Sequence, residues 1–400
     1  MSPEKVQKLS KEYASMTAEN LSRIVRIPSF SGEEEGVIRE LEQICRTLGF
    51  DEVRIDGLGS LIARVGSGPR KLVIDAHIDT VGVGDRSQWK EDPFSGTIRD
   101  GLVYGRGTSD QKGGAASMLT AGRILKDLDY RGQYSVYFTF TVLEEDCDGM
   151  CWKYLIEEEK FIPDYFVSTE PTSCRLYRGH RGRMEMEVHI KGVSAHGSAP
   201  ERGVNAAYKA ARAALALEGL NEKLQPDADR FLGKGTIVVS QLKAFGPSQC
   251  AVPDVASLYI DRRLTWGETK ELAVQQVKDA LGNLAEEVVV PYYDKPGWKK
   301  TPYGQELYFP TWKLPLDHPF VQAGITTYRG LFGAEPVVDK WTFSTNGTAV
   351  CGRYRIPTIG FGPGDEAQAH APNEVTRIQD LQMASAFYAY LPYILDRSHE

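Results

Sequence analysis

Short β-rich runs alternate with helix-length stretches through the first half of this chain, and that rhythm admits few folds. The runs read at Ser60–Val65, Lys71–Ala76, Leu102–Tyr104, Tyr134–Leu143 and Asp164–Ser168. Helices read from about Glu4 to Val25, Gly32 to Leu48, Gly113 to Leu128 and Trp152 to Glu159, the second opened by a capping box, Ser31-Gly-Glu-Glu34. Strands spaced by helices of about ten to fifteen residues predict an α/β domain around a largely parallel sheet.

The rhythm then changes. Arg183–Lys191, Gly235–Leu242 and Ser257–Leu264 read as strands, with helices at Val204–Leu217 and Glu268–Leu281. This β-α-β-β-α order predicts a small two-layer unit of about a hundred residues. Pro291–Pro315, rich in Tyr, Trp, Pro and Gly, reads as a long ordered loop whose aromatics pack between the two units. Helix Phe320–Leu331, strand Thr358–Phe361 and helix Ile378–Leu395 return to the first style. The expected architecture is therefore α/β, a mixed and largely parallel sheet flanked by helices, from residues 1–181 and 295–400. An α+β two-layer domain, 182–294, is inserted in it. At 400 residues the chain exceeds one ordinary core, which agrees with two domains.

A net charge of −7, without Lys/Arg clusters, argues against nucleic-acid or anionic-membrane partners. No window approaches a membrane span, and the charged start MSPEKVQKLSKEYASM lacks the apolar region of a secretory signal. Six scattered cysteines without a CxxC pair read as reduced thiols, so a cytoplasmic setting is expected. Cys147 and Cys151, near the acidic pair described next, read as small buried thiols rather than ligands.

The chemistry lies where the β-rich runs end. His77 closes Lys71–Ala76, with Asp79 two residues on. Asp110 sits in Gly105-Arg-Gly-Thr-Ser-Asp-Gln-Lys-Gly-Gly114. Glu144-Glu145 ends the run from Val136, Glu170 follows Asp164–Thr169, and His370 lies in a Gly/Pro-punctuated loop after Ile356–Phe361. In parallel sheets those ends converge on one crevice. Each residue alone has a plainer reading: a core histidine, a solvated acidic pair, a helix cap. Gathered together, unpaired carboxylates repel one another, and a dication resolves that cost. Residues 77 and 79 share a face in extended chain, so Asp79 is expected to orient the His77 ring. Glu144 and Glu145 cannot point the same way; one can bind metal while the other faces water as general base. Asp110, in its glycine loop, is the candidate bridge. Two divalent ions lower the pKa of water and polarise a carbonyl oxygen, which suits hydrolysis of an unreactive amide.

His77-Ile-Asp79, Gly107-Thr-Ser-Asp-Gln-Lys-Gly113, Glu144-Glu145 and His370-Ala-Pro-Asn-Glu374, in this order, resemble the M20 family of co-catalytic metallohydrolases. That family includes succinyl-diaminopimelate desuccinylase, acetylornithine deacetylase and glutamate carboxypeptidase. The resemblance implies that His77 and Glu170 hold one metal, Glu145 and His370 the other, with Asp110 bridging. Asp79 would then orient His77, and Glu144 would be general base and later acid. Gly192-Val-Ser-Ala-His196-Gly resembles the family's lid motif, so His196 is expected to reach a partner subunit's site and steady the oxyanion, in a homodimer formed through the lid. Arg263 sits where the family's lid arginine binds a substrate carboxylate. Phe343-Ser-Thr-Asn-Gly347 replaces the usual Asp-containing motif, which places Asn346 on the substrate side of the cleft. Several runs look closest to the branch labelled selenium-metabolism-linked hydrolase.

The expected function is hydrolysis of an N-acyl, N-carbamoyl or peptide-type amide in a small, carboxylate-bearing, amino-acid-derived substrate. Zinc is the default metal, with Mn or Co tolerated by a carboxylate-rich set. The rivals are a di- or aminopeptidase and a non-catalytic metal-binding homologue; the presence of Glu144 counts against the latter. His180, His189, His318 and His399 show no evident partners in the sequence.

Overall fold

The computed structural model describes residues 1–224 and 229–397; His399 lies outside them. Its larger sheet runs Glu52–Ile55, Leu61–Val65, Tyr134–Thr141, Arg70–His77, Tyr165–Ser168, Thr358–Gly360, Leu176–His180, Trp312–Lys313, with Val338–Trp341 also on Leu176–His180. The four central strands, Tyr134–Thr141, Arg70–His77, Tyr165–Ser168 and Thr358–Gly360, are mutually parallel, and the outer pairings are mostly antiparallel. The sheet is therefore mixed with a parallel centre, as expected. Its central strands are buried almost throughout, which is why they read as continuous apolar runs. Helices Lys112–Asp127, Pro319–Phe332 and Ile378–Arg397 pack with it into one core.

The inserted unit is a five-stranded antiparallel sheet, Thr236–Phe245, Val255–Leu264, Gly182–Lys191, Glu287–Val289, with Tyr308–Phe309 also on Gly182–Lys191. Along this strand Gly182 to Ile190 alternate buried and half-buried residues strictly, so one face packs on helices Ala206–Lys223 and Lys270–Leu281. Its hydrophobic cluster is separate from the larger one. Residues 291–315 carry four two-residue strands, and Trp298 donates to the Gly59 carbonyl, so this stretch is ordered.

Three local expectations change. The first helix is two, Pro3–Glu12 and Ala14–Val25, because Tyr13 leaves helical geometry (φ −93°, ψ 5°) and its hydroxyl donates to Asp127. The strands Glu52–Ile55, Leu176–His180 and Val338–Trp341, four or five residues long, escaped the sequence reading. The capping box does not form. The third helix is Glu35–Thr47, with Glu34 at its cap making no side-chain cap bond. Ser31 and Glu34 turn instead toward Asp79 and Leu143.

Candidate metal centre and substrate cleft

His77 is the last residue of its strand, and Glu144-Glu145 and Glu170 follow parallel strands of the same sheet. Asp110 comes from elsewhere: it precedes helix Lys112–Asp127, after the short strand Leu102–Tyr104 of a separate three-stranded sheet. Its loop needs glycine. Gly107 has φ +88°, and a Cβ there would lie 2.8 Å from Thr80 Cγ2. The tertiary fold, not the local sequence, brings Asp110 beside His77.

His77 Nε2 lies 3.0 Å from Asp110 Oδ1, 3.7 Å from Glu170 Oε1 and 3.9 Å from Glu144 Oε2. On the other flank, His370 Nε2 lies 2.9 Å from Glu145 Oε2 and 3.5 Å from Asp110 Oδ2. Asp110 thus turns one oxygen to each histidine. His77 Nδ1 is nearest the Asp79 backbone carbonyl, at 2.9 Å, with the Asp79 carboxylate at 3.5 Å. The expected orienting contact to Asp79 is therefore made chiefly by its main chain. The Asp79 carboxylate instead accepts from Glu144 N (3.2 Å), Glu145 N (3.0 Å) and Ser31 Oγ (2.7 Å).

Burial, the largest effect on each, raises the Glu144 and Glu170 carboxyls well above their ordinary range, and neighbouring carboxylates add to it against the pull of His77. Glu145 is pushed up to about 7 by burial and by Asp110, against its bond from His370. Burial disfavours the His77 cation, but Glu144, Asp110, Asp79 and Glu170 together outweigh that and raise it. Buried Glu144 Oε1 and Glu170 Oε2 have no hydrogen-bond partner. Two groups, His77–Asp110–Glu145 and His77–Glu144–Glu170, each offer ligand atoms within 4.8 Å of one another. A cation at this place relieves both the mutual repulsion and the unpaired oxygens, so the donor set fits divalent metal.

A cleft of about 280 Å³ opens over these groups, lined beyond them by Asp148, Arg183, Arg263, Phe343, Ser344 and Glu366. Arg263 lines it, held by Asp261 through two bonds of 2.8 and 2.9 Å. Arg183, directly opposite Arg263 on the neighbouring strand, escaped the sequence reading. Its guanidinium donates to Asp148 (2.8 Å) and lies 4.6 Å from the Phe309 ring centroid, while its Nε has no partner. Its signal was its strand position, one residue from the start of the inserted unit.

One expectation is corrected here. Asn346 does not line the cleft; it is buried, accepting from Gly149 N (2.9 Å) and donating to Asp75 (2.9 Å) and Thr141 (3.2 Å). Its amide is saturated by Gly149 and by the sheet strands beneath the site, and its neighbours Phe343 and Ser344 line the cleft instead. His196, expected to serve a partner subunit's site, is exposed, bonded to Ser198 Oγ (2.7 Å), and does not line the cleft of its own chain.

Beneath the centre, Glu374 holds the Asp110 loop. Its carboxylate accepts from Gly107 N, Ser109 N and Asp110 N (2.9, 2.7 and 2.9 Å) and from Arg106 Nη1 (2.8 Å). Arg106 also donates to the Ala371 and His370 carbonyls, steadying a loop in which His370 and Asn373 both sit at φ 60°. Both residues stood in the sequence motifs, but only the fold shows what they hold.

His180 does have partners. Its Nε2 accepts from Trp312 Nε1 (2.7 Å) and Thr345 N (3.2 Å), and its Nδ1 donates to the Arg181 carbonyl (2.8 Å). A proton on Nε2 would face two N–H donors. Burial, aided by Arg263 and opposed by the Arg181 carbonyl and Asp148, lowers this histidine from 6.5 to about 4. The unfolded chain therefore binds the proton that the fold refuses. Stability from this residue is full above about 6.5 and is lost as pH falls toward about 4, by about 3 kcal/mol. Urea unfolding at pH 7 and 4.5 checks it: the His180→Gln variant should lack most of that loss. An equal acid loss in both proteins removes His180 as the cause.

A family model described as peptidase family M20/M25/M40 matches residues 73–393. The chain is 50% identical over 386 residues to YgeY, an uncharacterized protein of Escherichia coli (strain K12), covering 96% of this chain and 95% of that protein. It is 28% identical to the acetylornithine deacetylase of Proteus mirabilis (strain HI4320), over 88% of this chain and 89% of the relative. A tripeptidase of Staphylococcus aureus superposes with a TM-score of 0.75 at 20% identity, covering 96% of this chain and 99% of its own, a likeness of fold. With its histidines and carboxylates gathered at the strand ends and the family match spanning most of its length, this chain belongs to peptidase family M20/M25/M40 and is a metal-dependent hydrolase acting on C–N bonds.

Proposed function

We propose that the protein hydrolyses an N-acyl, N-carbamoyl or peptide-type amide in a small, carboxylate-bearing, amino-acid-derived substrate, using two divalent ions, zinc by default. The observation that carries this is the two-sided Asp110 carboxylate, one oxygen toward His77 and the other toward His370. His77 and Glu170 would hold one ion, Glu145 and His370 the other, with Asp110 shared. When bound, such a pair lowers the pKa of water and polarises the scissile carbonyl. Glu144, close to His77 and with one oxygen unpartnered, takes a proton from the attacking water and returns it to the leaving nitrogen. Arg263 and Arg183 face the same cleft and receive the substrate carboxylate.

The test is elemental analysis of purified protein together with a panel of N-acyl and N-carbamoyl amino acids and dipeptides. Two metals per chain, turnover abolished by chelation and restored by zinc, and a preference for carboxylate over carboxamide substrates are expected. One metal per chain sinks the two-ion reading. A strict requirement for a free amine on the substrate favours the aminopeptidase rival.

We also propose a homodimer through the inserted unit, in which His196 serves the partner's cleft. Strand Thr236–Phe245 lies at that sheet's edge and exposes Val238, Leu242 and Phe245, and helix Ala206–Lys223 exposes Tyr208 and Leu215. An unpaired edge carrying exposed apolar residues is a ready pairing surface. Light scattering should give twice the chain mass for wild type and a monomer for Leu242→Glu/Phe245→Glu; a monomeric wild type ends this proposal. A cytoplasmic setting is proposed on the six unpaired cysteines. No helix among the described residues is long and apolar enough to cross a membrane.

A further inference from the structure

Ser31 and Glu34 lie at the start of a helix, yet neither caps it. The cap residue Glu34 makes no side-chain cap bond. Its Oε1 accepts from Leu143 N (3.1 Å), 109 residues away, and from Gly32 N (2.9 Å). The Ser31 hydroxyl donates to Asp79 Oδ2 (2.7 Å). Asp79 in turn accepts from Glu144 N and Glu145 N. Three consecutive backbone N–H groups, at residues 143, 144 and 145, thus end on two buried carboxylates contributed by other parts of the fold.

Those three residues form the turn that aims the acidic pair. Leu143, buried and not glycine, sits at φ 64°, a backbone region that costs a side chain-bearing residue and persists only where its surroundings over-determine it. Directly after it, Glu144 faces His77 while Glu145 faces His370. An extended chain already separates consecutive side chains; the left-handed step at Leu143 decides where the pair as a whole points. Among the described residues Glu34 is the only side chain that accepts from the Leu143 N–H, and it is fully buried.

We propose that Glu34, seconded by Ser31, is a positioning residue of the active site, which fixes the turn Leu143–Glu145 and so the directions of Glu144 and Glu145. The proposal rests on the two-metal reading above. It requires an acceptor oxygen on residue 34, not a charge, because its partners are neutral N–H groups. Neither residue contacts the cleft's metal ligands directly: Glu34 acts on the main chain at Leu143, and Ser31 acts through the Asp79 carboxylate that holds Glu144 N and Glu145 N. Their recruitment also accounts for the capping box that does not form.

The test compares Glu34→Ala with Glu34→Gln, which keeps the acceptor oxygen. In metal-replete Glu34→Ala, kcat should fall about 10- to 100-fold with KM nearly unchanged, the signature of a lost transition-state arrangement. Glu34→Gln should restore kcat to within about threefold of wild type. Zinc titration of the apoprotein by calorimetry supplies a readout independent of turnover. The step assigned to Glu145 and His370 should weaken about 10- to 100-fold in Glu34→Ala, and the step assigned to His77 and Glu170 should hold. Unchanged kcat and unchanged zinc affinities in folded Glu34→Ala overturn the proposal, as does Glu34→Gln proving as impaired as Glu34→Ala. Should Glu34→Ala fail to fold, Ser31→Ala, at a half-buried hydroxyl, reads the same bracket. A loss of about 3- to 10-fold in kcat or in the same zinc step supports the proposal, and no loss overturns it. If wild type cleaves no amide in the panel, the functional reading fails, while the zinc titration still decides the positioning claim.

Discussion

Replacing Glu144 by Gln lowers kcat about a hundred- to ten-thousand-fold and leaves the metal content at its wild-type value. The reason lies in how Glu144 is placed. It shares its turn with Glu145, but its nearer oxygen stands 3.9 Å from His77 Nε2, against 3.0 Å for Asp110 and 3.7 Å for Glu170. Its other oxygen is buried and unpartnered, and the residue lines the cleft. Burial raises its affinity for a proton, which is what a group must have to take one from water and give it to a departing nitrogen. Gln keeps the size and removes the basicity, so binding should survive: KM for the best panel substrate should move little while kcat collapses. Steady-state kinetics beside elemental analysis decides the matter. Retention of a tenth or more of wild-type kcat removes Glu144 as general base. Loss of a metal ion in Glu144→Gln makes it a ligand, and the assignments of Glu144 and Glu145 exchange.

Glu374→Ala has the second large effect, and it acts on stability as well as on metal. The wild-type carboxylate is wholly buried and satisfies three backbone N–H groups and the Arg106 guanidinium at once. Among the described residues Arg106, 2% exposed, has no other carboxylate within ion-pair distance. Alanine leaves a buried cation without counter-charge, a situation that costs about 3–5 kcal/mol. The released loop also carries Asp110, so both metal positions should weaken together, unlike the one-sided loss expected from Glu34→Ala. Denaturant unfolding and zinc titration of the variant test this. A stability loss below about 1 kcal/mol would show that the loop holds itself and that the clasp is incidental. Glu374→Gln, which keeps an acceptor but not the charge, should fall between.

These two residues differ in how far the sequence disclosed them. Glu144 was legible because its acidic pair closes a β-rich run in company with histidines and carboxylates at the other run ends, which together would repel one another without a cation. His77, Glu170 and the parallel centre of the sheet followed from the same pattern, since burial on both faces forces apolar runs that stop where the polar work begins. Glu374 was visible only as the end of a motif. Its four bonds run to residues some 265 positions earlier, and no periodicity encodes such a pairing.

Where the sequence reading failed, long-range partners had outcompeted local ones. Ser31-Gly-Glu-Glu34 has the spacing of a capping box, and a helix does begin there. The fold nevertheless directs both side chains to buried N–H and carboxylate groups of the active site, whose need for partners exceeds that of a solvent-accessible helix end. Asn346 stands beside cleft residues in sequence, but its amide is consumed by Gly149, Asp75 and Thr141 beneath them. Arg183 offered only its strand position until the antiparallel register set it opposite Arg263 at the cleft.

The chain's own sequence thus determined the inventory: which strands are buried, which residues can carry charge or bind metal, and where along the chain they fall. Those are properties of local pattern, because burial and strand geometry act on neighbouring residues. The tertiary structure alone decided the pairings: which oxygen of Asp110 meets which histidine, which carboxylate holds the turn at Leu143, and which arginine joins Arg263. Such pairings depend on distances across the folded sheet, and a buried polar group takes whatever partner the packing brings within hydrogen-bond reach.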